Sequence, residues 1–112
     1  MRLIVQRTTA FGMAAVLALA ATGASAQLSP SEQRGRALAL ANCARCHSID
    51  KVSASPLSIA PPFRTLHLRY PVETLDEALA EGIVTGHPTM PEFRLEADQI
   101  GDFIAFLKSL EH

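Results

Sequence analysis

Cys43-Ala44-Arg45-Cys46-His47 is the stretch that organises this chain, and it stands at the end of a helical pattern. Two cysteines separated by two residues lie about one helical turn apart, so both sulfurs can reach the two vinyl groups on one edge of a porphyrin. A histidine directly after them projects across the macrocycle and gives the iron a proximal nitrogen. The chain has no other cysteine. The motif therefore predicts c-type haem joined to Cys43 and Cys46, with His47 as the proximal iron ligand.

Three other chemistries use a pair of cysteines at this spacing. A redox dithiol usually follows a strand in a βαβ unit, whereas this pair ends a helical pattern. A tetrahedral zinc site needs a second pair of Cys or His ligands, and His67, His87 and His112 are isolated in the sequence. A simple disulfide in an exported protein is the third alternative. The complete pentapeptide favours haem attachment over all three.

The first 26 residues have the features of a secretory signal peptide. Arg2 and Arg7 provide a positive start, residues 10–21 form an apolar run, and Ala24-Ser25-Ala26 is a small-residue cleavage site. The apolar run is short for a membrane span, although an uncleaved segment would tether the protein to the membrane. We expect cleavage after Ala26, a periplasmic location, and a monohaem domain at residues 27–112 with no membrane span.

Composition and length exclude several classes of partner. The chain has 10 Lys and Arg against 11 Asp and Glu, and without the two arginines of the leader the net charge is −3. A mildly acidic domain is not a nucleic-acid binder, and it has no polybasic run for a membrane surface. A mature domain this small has little core of its own. We expect a monomer whose folding depends on the bound haem.

The hydrophobic pattern of the mature chain predicts helices and no strand. Ser29-Pro30-Ser31-Glu32 is a capping sequence that begins a helix running to about Asn42. A short helix is predicted at residues 63–69. A second helix, with a clearer apolar pattern, is predicted to begin at Pro71 and to end at Gly82. Apolar residues at helical spacing predict the last helix over residues 97–110.

Two long loops and one glycine also stand out. Residues 48–62 are rich in Ser and Pro, and residues 83–94 contain further Gly and Pro. Loops this long in so small a chain are usually functional or wrapped around a ligand. Gly35 lies inside the first helix, where it costs about 1 kcal/mol relative to alanine. That cost indicates a close approach of another element at Gly35.

The distal face of the iron needs a second ligand. Met90 is the only methionine left after removal of the leader, and it lies between prolines in His87-Pro88-Thr89-Met90-Pro91. The prolines restrict this segment, and a thioether opposite an imidazole raises the reduction potential. Met90 is therefore the predicted distal ligand, with His87 as the alternative. His67 is expected on the surface of the short helix, and His112 is expected to be solvated.

Over residues 30–110 the chain resembles the small class I cytochromes c. The shared pattern is a helix bearing a glycine, C-x-x-C-H, a proline loop, a Met-Pro loop, and a C-terminal helix with an aromatic residue. The matching residues are Gly35, Cys43 to His47, Pro61-Pro62-Phe63, Met90-Pro91 and Phe106. The resemblance implies an all-α cytochrome c fold in which three main helices, a short helix and long loops surround one covalent haem c.

The same resemblance implies two contacts. Gly35 would let the first helix cross the last one closely beneath Phe106. The carbonyl of Pro61, or of Pro62, would accept a hydrogen bond from the His47 ring and so set its orientation and basicity. The chain departs from the family at Ala39, where an aromatic residue is common, and at Phe106, where tyrosine is common. Both departures bear on stability more than on function.

The expected function is one-electron transfer between transient redox partners, without enzymatic activity. Two alternatives belong to other classes: a haem enzyme or gas-binding sensor with a displaceable Met90, and an electron-accepting subunit of a periplasmic dehydrogenase. Basic residues could form a rim that steers partners, or they could be scattered surface charges; they are Arg45, Lys51, Arg64, Arg69 and Arg94.

Overall fold

The computed structural model describes residues 12, 15–17, 27–83 and 89–112. Its α-helices are α1 (Pro30–Asn42), α2 (Leu75–Glu81) and α3 (Ala97–Ser109), and two 3-10 helices lie at Phe63–Leu68 and Val72–Thr74. No strand is present in these ranges. The prediction of an all-α fold is therefore confirmed.

The predicted signal peptide, residues 1–26, lies almost entirely outside the described residues. Its cleavage and its role in export stay predictions. None of the helices in the described part of the chain combines the length and apolar character needed to cross a membrane.

Helix α1 has the predicted bounds, and its start is fixed by a reciprocal cap. The Glu32 N–H donates to the Ser29 hydroxyl at 3.2 Å, and the Ser29 N–H donates to a Glu32 carboxylate oxygen at 2.9 Å. Pro30 occupies the first turn, where its missing N–H would have no partner within the helix. Cys43 caps the C-terminal end of the helix, and its N–H donates to the Ala39 carbonyl at 2.8 Å. The cysteine motif therefore begins at the end of α1.

Helices α1 and α3 cross closely at Gly35, as the sequence predicted. A Cβ atom at Gly35 would lie 2.7 Å from the Phe106 Cβ and 2.6 Å from the Asp102 carbonyl carbon. Ala39 is fully buried at the same crossing, and Phe106 is only 1% exposed. The absence of a side chain at Gly35 is therefore what allows the two backbones to approach.

A polar link ties α1 to α3 beside this crossing. Arg34 donates from Nε to one Asp102 carboxylate oxygen at 2.7 Å and from Nη2 to the other at 3.0 Å. The Ser31 hydroxyl also donates to Asp102 at 2.7 Å. The hydrogen bonds from Arg34 and Ser31 lower the pKa of Asp102 below its usual 3.8. A second ion pair, Lys108 to Glu73 at 2.7 Å, ties α3 to the helix Val72–Thr74.

The lowered pKa of Asp102 predicts a specific acid sensitivity. A depressed folded-state pKa contributes stability above the unfolded pKa, near 3.8, and that stability is lost as the pH falls through the folded value. The Asp102→Asn variant should therefore lose less stability than the wild type between pH 5 and pH 2. Urea unfolding of the holoprotein across that range measures it. Glu77→Gln, an exposed change on α2, should keep the wild-type acid dependence; equal slopes for all three proteins would contradict the prediction.

The middle of the chain follows the predicted helices with small differences. The short helix is a 3-10 helix that ends at Leu68, and the helix opened by Pro71 starts as a 3-10 turn before α2 begins at Leu75. Gly82 ends α2 with φ of 104°, a conformation that favours glycine. The predicted stop at Gly82 is thus confirmed.

His67 does not lie on the surface as expected. Its side chain is half-buried, and its Nδ1 is buried with no hydrogen-bond partner. The 3-10 helix is only six residues long and packs on the core through Phe63 and Leu66, and His67 directly follows Leu66. The burial of His67 could not be predicted from the sequence, because so short a helix has too few residues to show a hydrophobic period. His112, by contrast, is exposed.

Candidate haem site

The cysteine motif forms a tight turn directly after α1. The Cys46 N–H and the His47 N–H both donate to the Cys43 carbonyl, at 3.1 Å and 2.9 Å. Both cysteines are half-buried, and no disulfide joins them. One turn therefore presents two sulfurs and an imidazole together, which is the arrangement that the spacing predicted.

The His47 ring is held by the proline loop. Its Nδ1 lies 2.8 Å from the Pro61 carbonyl oxygen. A carbonyl can only accept, so Nδ1 carries a proton and Nε2 is the ring nitrogen left to face a metal. The Pro62 carbonyl instead accepts from the N–H and hydroxyl of Thr65. Of the two acceptors that the resemblance left open, the contact is with Pro61; its influence on the iron stays a prediction.

The aromatic residues around His47 were not singled out as site residues from the sequence. The Phe63 ring lies 4.8 Å from the His47 ring, centroid to centroid, and meets Phe103 of α3 edge-on at 5.8 Å. The imidazole therefore bonds to Pro61 and contacts the Phe63 ring, which in turn packs against Phe103 from a distant part of the chain. The aromatic residue after Pro61-Pro62 was a signal for this contact, but the pairing with Phe103 depends on how α3 packs.

His47 and both cysteines open onto an apolar cleft. The space between atoms in this cleft is about 1180 Å3, part of it open to solvent. Its walls come from all three helices and both loops; they include Leu38, Leu57, Ile59, Leu66, Leu75, Leu79, Ile83, Phe93, Leu95 and Phe103. An apolar cleft with a few convergent polar groups is typical of a cofactor site. The lining residues fit a large, flat, apolar macrocycle attached at the cysteines.

The chemistry of the thiols argues against the redox and zinc alternatives. Burial raises the pKa of the Cys43 thiol from 9.0 to about 11. A free Cys43 would therefore be neutral at pH 7, unlike the low-pKa thiolate of a redox dithiol. Within the described ranges, no group of three or more His, Cys, Asp or Glu residues could hold a metal ion. The motif has no partners there for a tetrahedral zinc site.

Met90 reaches the same cleft from the other long loop. It is half-buried, and Thr89, Met90 and Pro91 all line the cavity with His47. Met90, which the sequence predicted as the distal ligand, therefore lies at the predicted cofactor site. His87, the alternative ligand, lies outside the described residues.

Three of the five basic residues proposed as a rim bond to their own chain. Lys51 Nζ donates to a His112 terminal oxygen at 2.6 Å, and Arg64 donates to the Ser53 carbonyl at 2.6 Å. Arg94 donates to the Glu81 carbonyl at 2.9 Å. These three side chains bond to backbone oxygens elsewhere in the chain. The sequence did not predict these bonds, because a backbone acceptor has no residue-type signal.

Three helices packed around an apolar cleft, with C-x-x-C-H at its edge, define a small helical haem protein. A family model described as Cytochrome c matches residues 32–111. The chain belongs to the cytochrome c family. It accordingly binds haem c covalently and acts as a haem-based electron carrier, and members of the family are usually carriers rather than enzymes. Comparison with curated proteins and with solved structures gave no significant match.

Proposed function

We propose that this cytochrome c is a periplasmic one-electron carrier whose haem iron is ligated by His47 and Met90. The observation that carries the proposal is the composition of the cleft. Cys43, Cys46, His47 and Met90 come from two separate segments, and all four line one cavity whose other walls are almost entirely apolar. No second function has a comparable observation behind it.

Each of these residues has a distinct role in the proposal. Cys43 and Cys46 would form the thioether bonds, and His47 would offer Nε2 to the iron while Pro61 holds Nδ1. Met90 would offer its thioether as the second ligand. When bound, the haem supplies a one-electron couple, with a potential set by axial ligands, burial and hydrogen bonding. The apolar walls exclude water and, with the soft thioether, favour the reduced state.

The proposed role as an electron carrier depends on both axial positions of the haem iron being filled. If His47 and Met90 both stay on the iron, no position is open for a substrate or a gas, so the protein can exchange electrons but not activate small molecules. We propose transient redox proteins as its partners and a monomer as its working form. A haem enzyme or gas sensor would need Met90 to leave, and a dehydrogenase subunit would need a stable partner.

The axial ligands predict two optical results. The ferric holoprotein should show the weak red absorption band of methionine sulfur on ferric haem, and the ferrous form should not bind carbon monoxide within minutes. Absorption spectra before and after reduction under carbon monoxide measure both. Absence of the band together with rapid carbon monoxide binding would contradict Met90 ligation and favour the enzyme or sensor.

The export segment predicts a definite mass. Expressed with its leader in a bacterium that assembles c-type cytochromes, the protein should be recovered from the periplasm starting at Gln27 and carrying one haem. Intact-mass spectrometry of the periplasmic and membrane fractions decides it. A full-length species in the membrane fraction would show that the leader stays on as an anchor, and a mature mass without haem would contradict the attachment site.

A further inference from the structure

The segment that presents Met90 leaves the end of α2 and returns beside it. Residues Leu79–Ile83 and Phe93–Leu95 form the two sides of its base, which we call the loop base. The last carbonyls of an α-helix have no partner within the helix. Here the returning side supplies two partners: the Leu95 N–H donates to the Leu79 carbonyl at 2.9 Å, and Arg94 Nη2 donates to the Glu81 carbonyl at 2.9 Å. The end of α2 is therefore capped by the chain that follows Met90.

One further bond and one close contact complete the loop base. The Ile83 N–H donates to the Phe93 carbonyl at 3.1 Å. Gly82 has φ of 104°, and a Cβ there would lie 3.0 Å from the carboxyl carbon of Glu92, so the Glu92 side chain packs on the bare glycine. Among these contacts, the Arg94 bond is the one made by a charged donor, and it lies at the exposed surface.

The loop base adjoins the cofactor cleft directly. Ile83 and Phe93, which bond to each other, both line the cleft together with Met90. Arg94 follows Phe93 in sequence and is four residues from Met90. Movement of Met90 away from the cleft would therefore pull on the side of the loop base that Arg94 holds against α2.

We propose that Arg94 is a positioning residue for Met90, holding the loop base closed so that the thioether stays on the haem iron. The inference rests on the proposed ligation by Met90. A ligand that competes for the iron binds only when Met90 has left, so its apparent dissociation constant depends on how often Met90 leaves the iron. Loss of the Arg94 bond leaves the Glu81 carbonyl without that donor and raises the population in which Met90 is away from the iron.

Imidazole titration of the ferric holoprotein tests this role. Loss of the red band reports displacement of Met90, and the titration is done for the wild type, Arg94→Leu, and Arg36→Leu, an exposed arginine on α1, as the matched control. The apparent dissociation constant for imidazole should fall roughly two- to fivefold in Arg94→Leu, as expected for loss of one solvent-exposed hydrogen bond from a charged donor. It should stay at the wild-type value in Arg36→Leu.

The same substitutions in a Met90→Ala background separate positioning from general destabilisation. Met90→Ala has no red band, so imidazole binding is followed there by the shift of the main haem absorption band. With no thioether to displace, Arg94→Leu should leave the affinity for imidazole unchanged. An equal effect of Arg94→Leu in both backgrounds, or no effect in the presence of Met90, would overturn the role of Arg94 alone. A wild-type protein that lacks the red band and binds imidazole as tightly as Met90→Ala would overturn the ligation by Met90, and this inference with it.

Discussion

Replacement of Met90 by leucine should lower the reduction potential of the holoprotein by on the order of 100 mV or more, because axial ligands are the strongest determinant of haem potential. Leucine nearly conserves the volume of methionine and its apolar character, so the packing of the cleft changes little. What is lost is the soft sulfur donor that favours reduced iron. The ferrous variant should also bind carbon monoxide, which the wild type should not. Equilibrium redox titration and carbon monoxide difference spectra measure the two effects.

A second aliphatic side chain in the cleft provides the control for this variant. Leu38 of α1 also lines the cavity and is half-buried, but it has no ligating atom and lies outside the loop base. Leu38→Ala should therefore retain the red band and shift the potential far less than Met90→Leu. If Met90→Leu kept the wild-type potential, or if Leu38→Ala lowered it as much, the methionine would be acting as a packing residue and not as a ligand.

Replacement of Gly35 by alanine should lower the free energy of unfolding by about 2 kcal/mol. Overpacking of a close contact costs about 3 kcal/mol, and the gain in helix propensity returns about 1 kcal/mol. The reason is local: the added Cβ would fall within 2.7 Å of the Phe106 Cβ and 2.6 Å of the Asp102 carbonyl carbon, so α1 and α3 must separate. Urea unfolding of the holoprotein at neutral pH measures the loss.

Gly101 makes a matched control on the other helix of the pair. It lies within α3, it is exposed, and a Cβ there would meet nothing within 4 Å. Gly101→Ala should therefore raise the free energy of unfolding by up to about 1 kcal/mol through helix propensity alone. If both variants were stabilised, the helices would not cross at Gly35 as closely as the structure has them.

The helices were predictable because their signals are local. The Ser29 to Glu32 cap, the apolar spacing of α3 and the stop at Gly82 each depend on residues within one or two turns, and the structure has all three. Where the prediction was less accurate, the element was short. The turn at Phe63–Leu68 has too few residues to show a period, so neither its 3-10 form nor the burial of His67 was predicted.

In the candidate site, too, some residues were predictable from local sequence and others were not. The attachment motif and Met90 were selected as candidate site residues from residue type and spacing, since sulfur and imidazole ligands are scarce in this chain. The residues that hold them were harder to find. The choice of Pro61 over Pro62, the Phe63–Phe103 pair and the bond from Arg94 to Glu81 all join segments that are separate in sequence. Backbone carbonyl acceptors in particular are hard to predict, because every residue has a carbonyl.

The sequence by itself determined the chemistry at Cys43 to His47, the cap that begins α1, and the all-helical pattern, because each is encoded within a few neighbouring residues. Only the tertiary structure decided which of the two proline carbonyls bonds His47, which residues line the cleft, and which α2 carbonyl accepts from Arg94. Those contacts follow from the crossing of α1 and α3 and from the return of the loop onto α2, and a linear pattern cannot specify which distant segments meet.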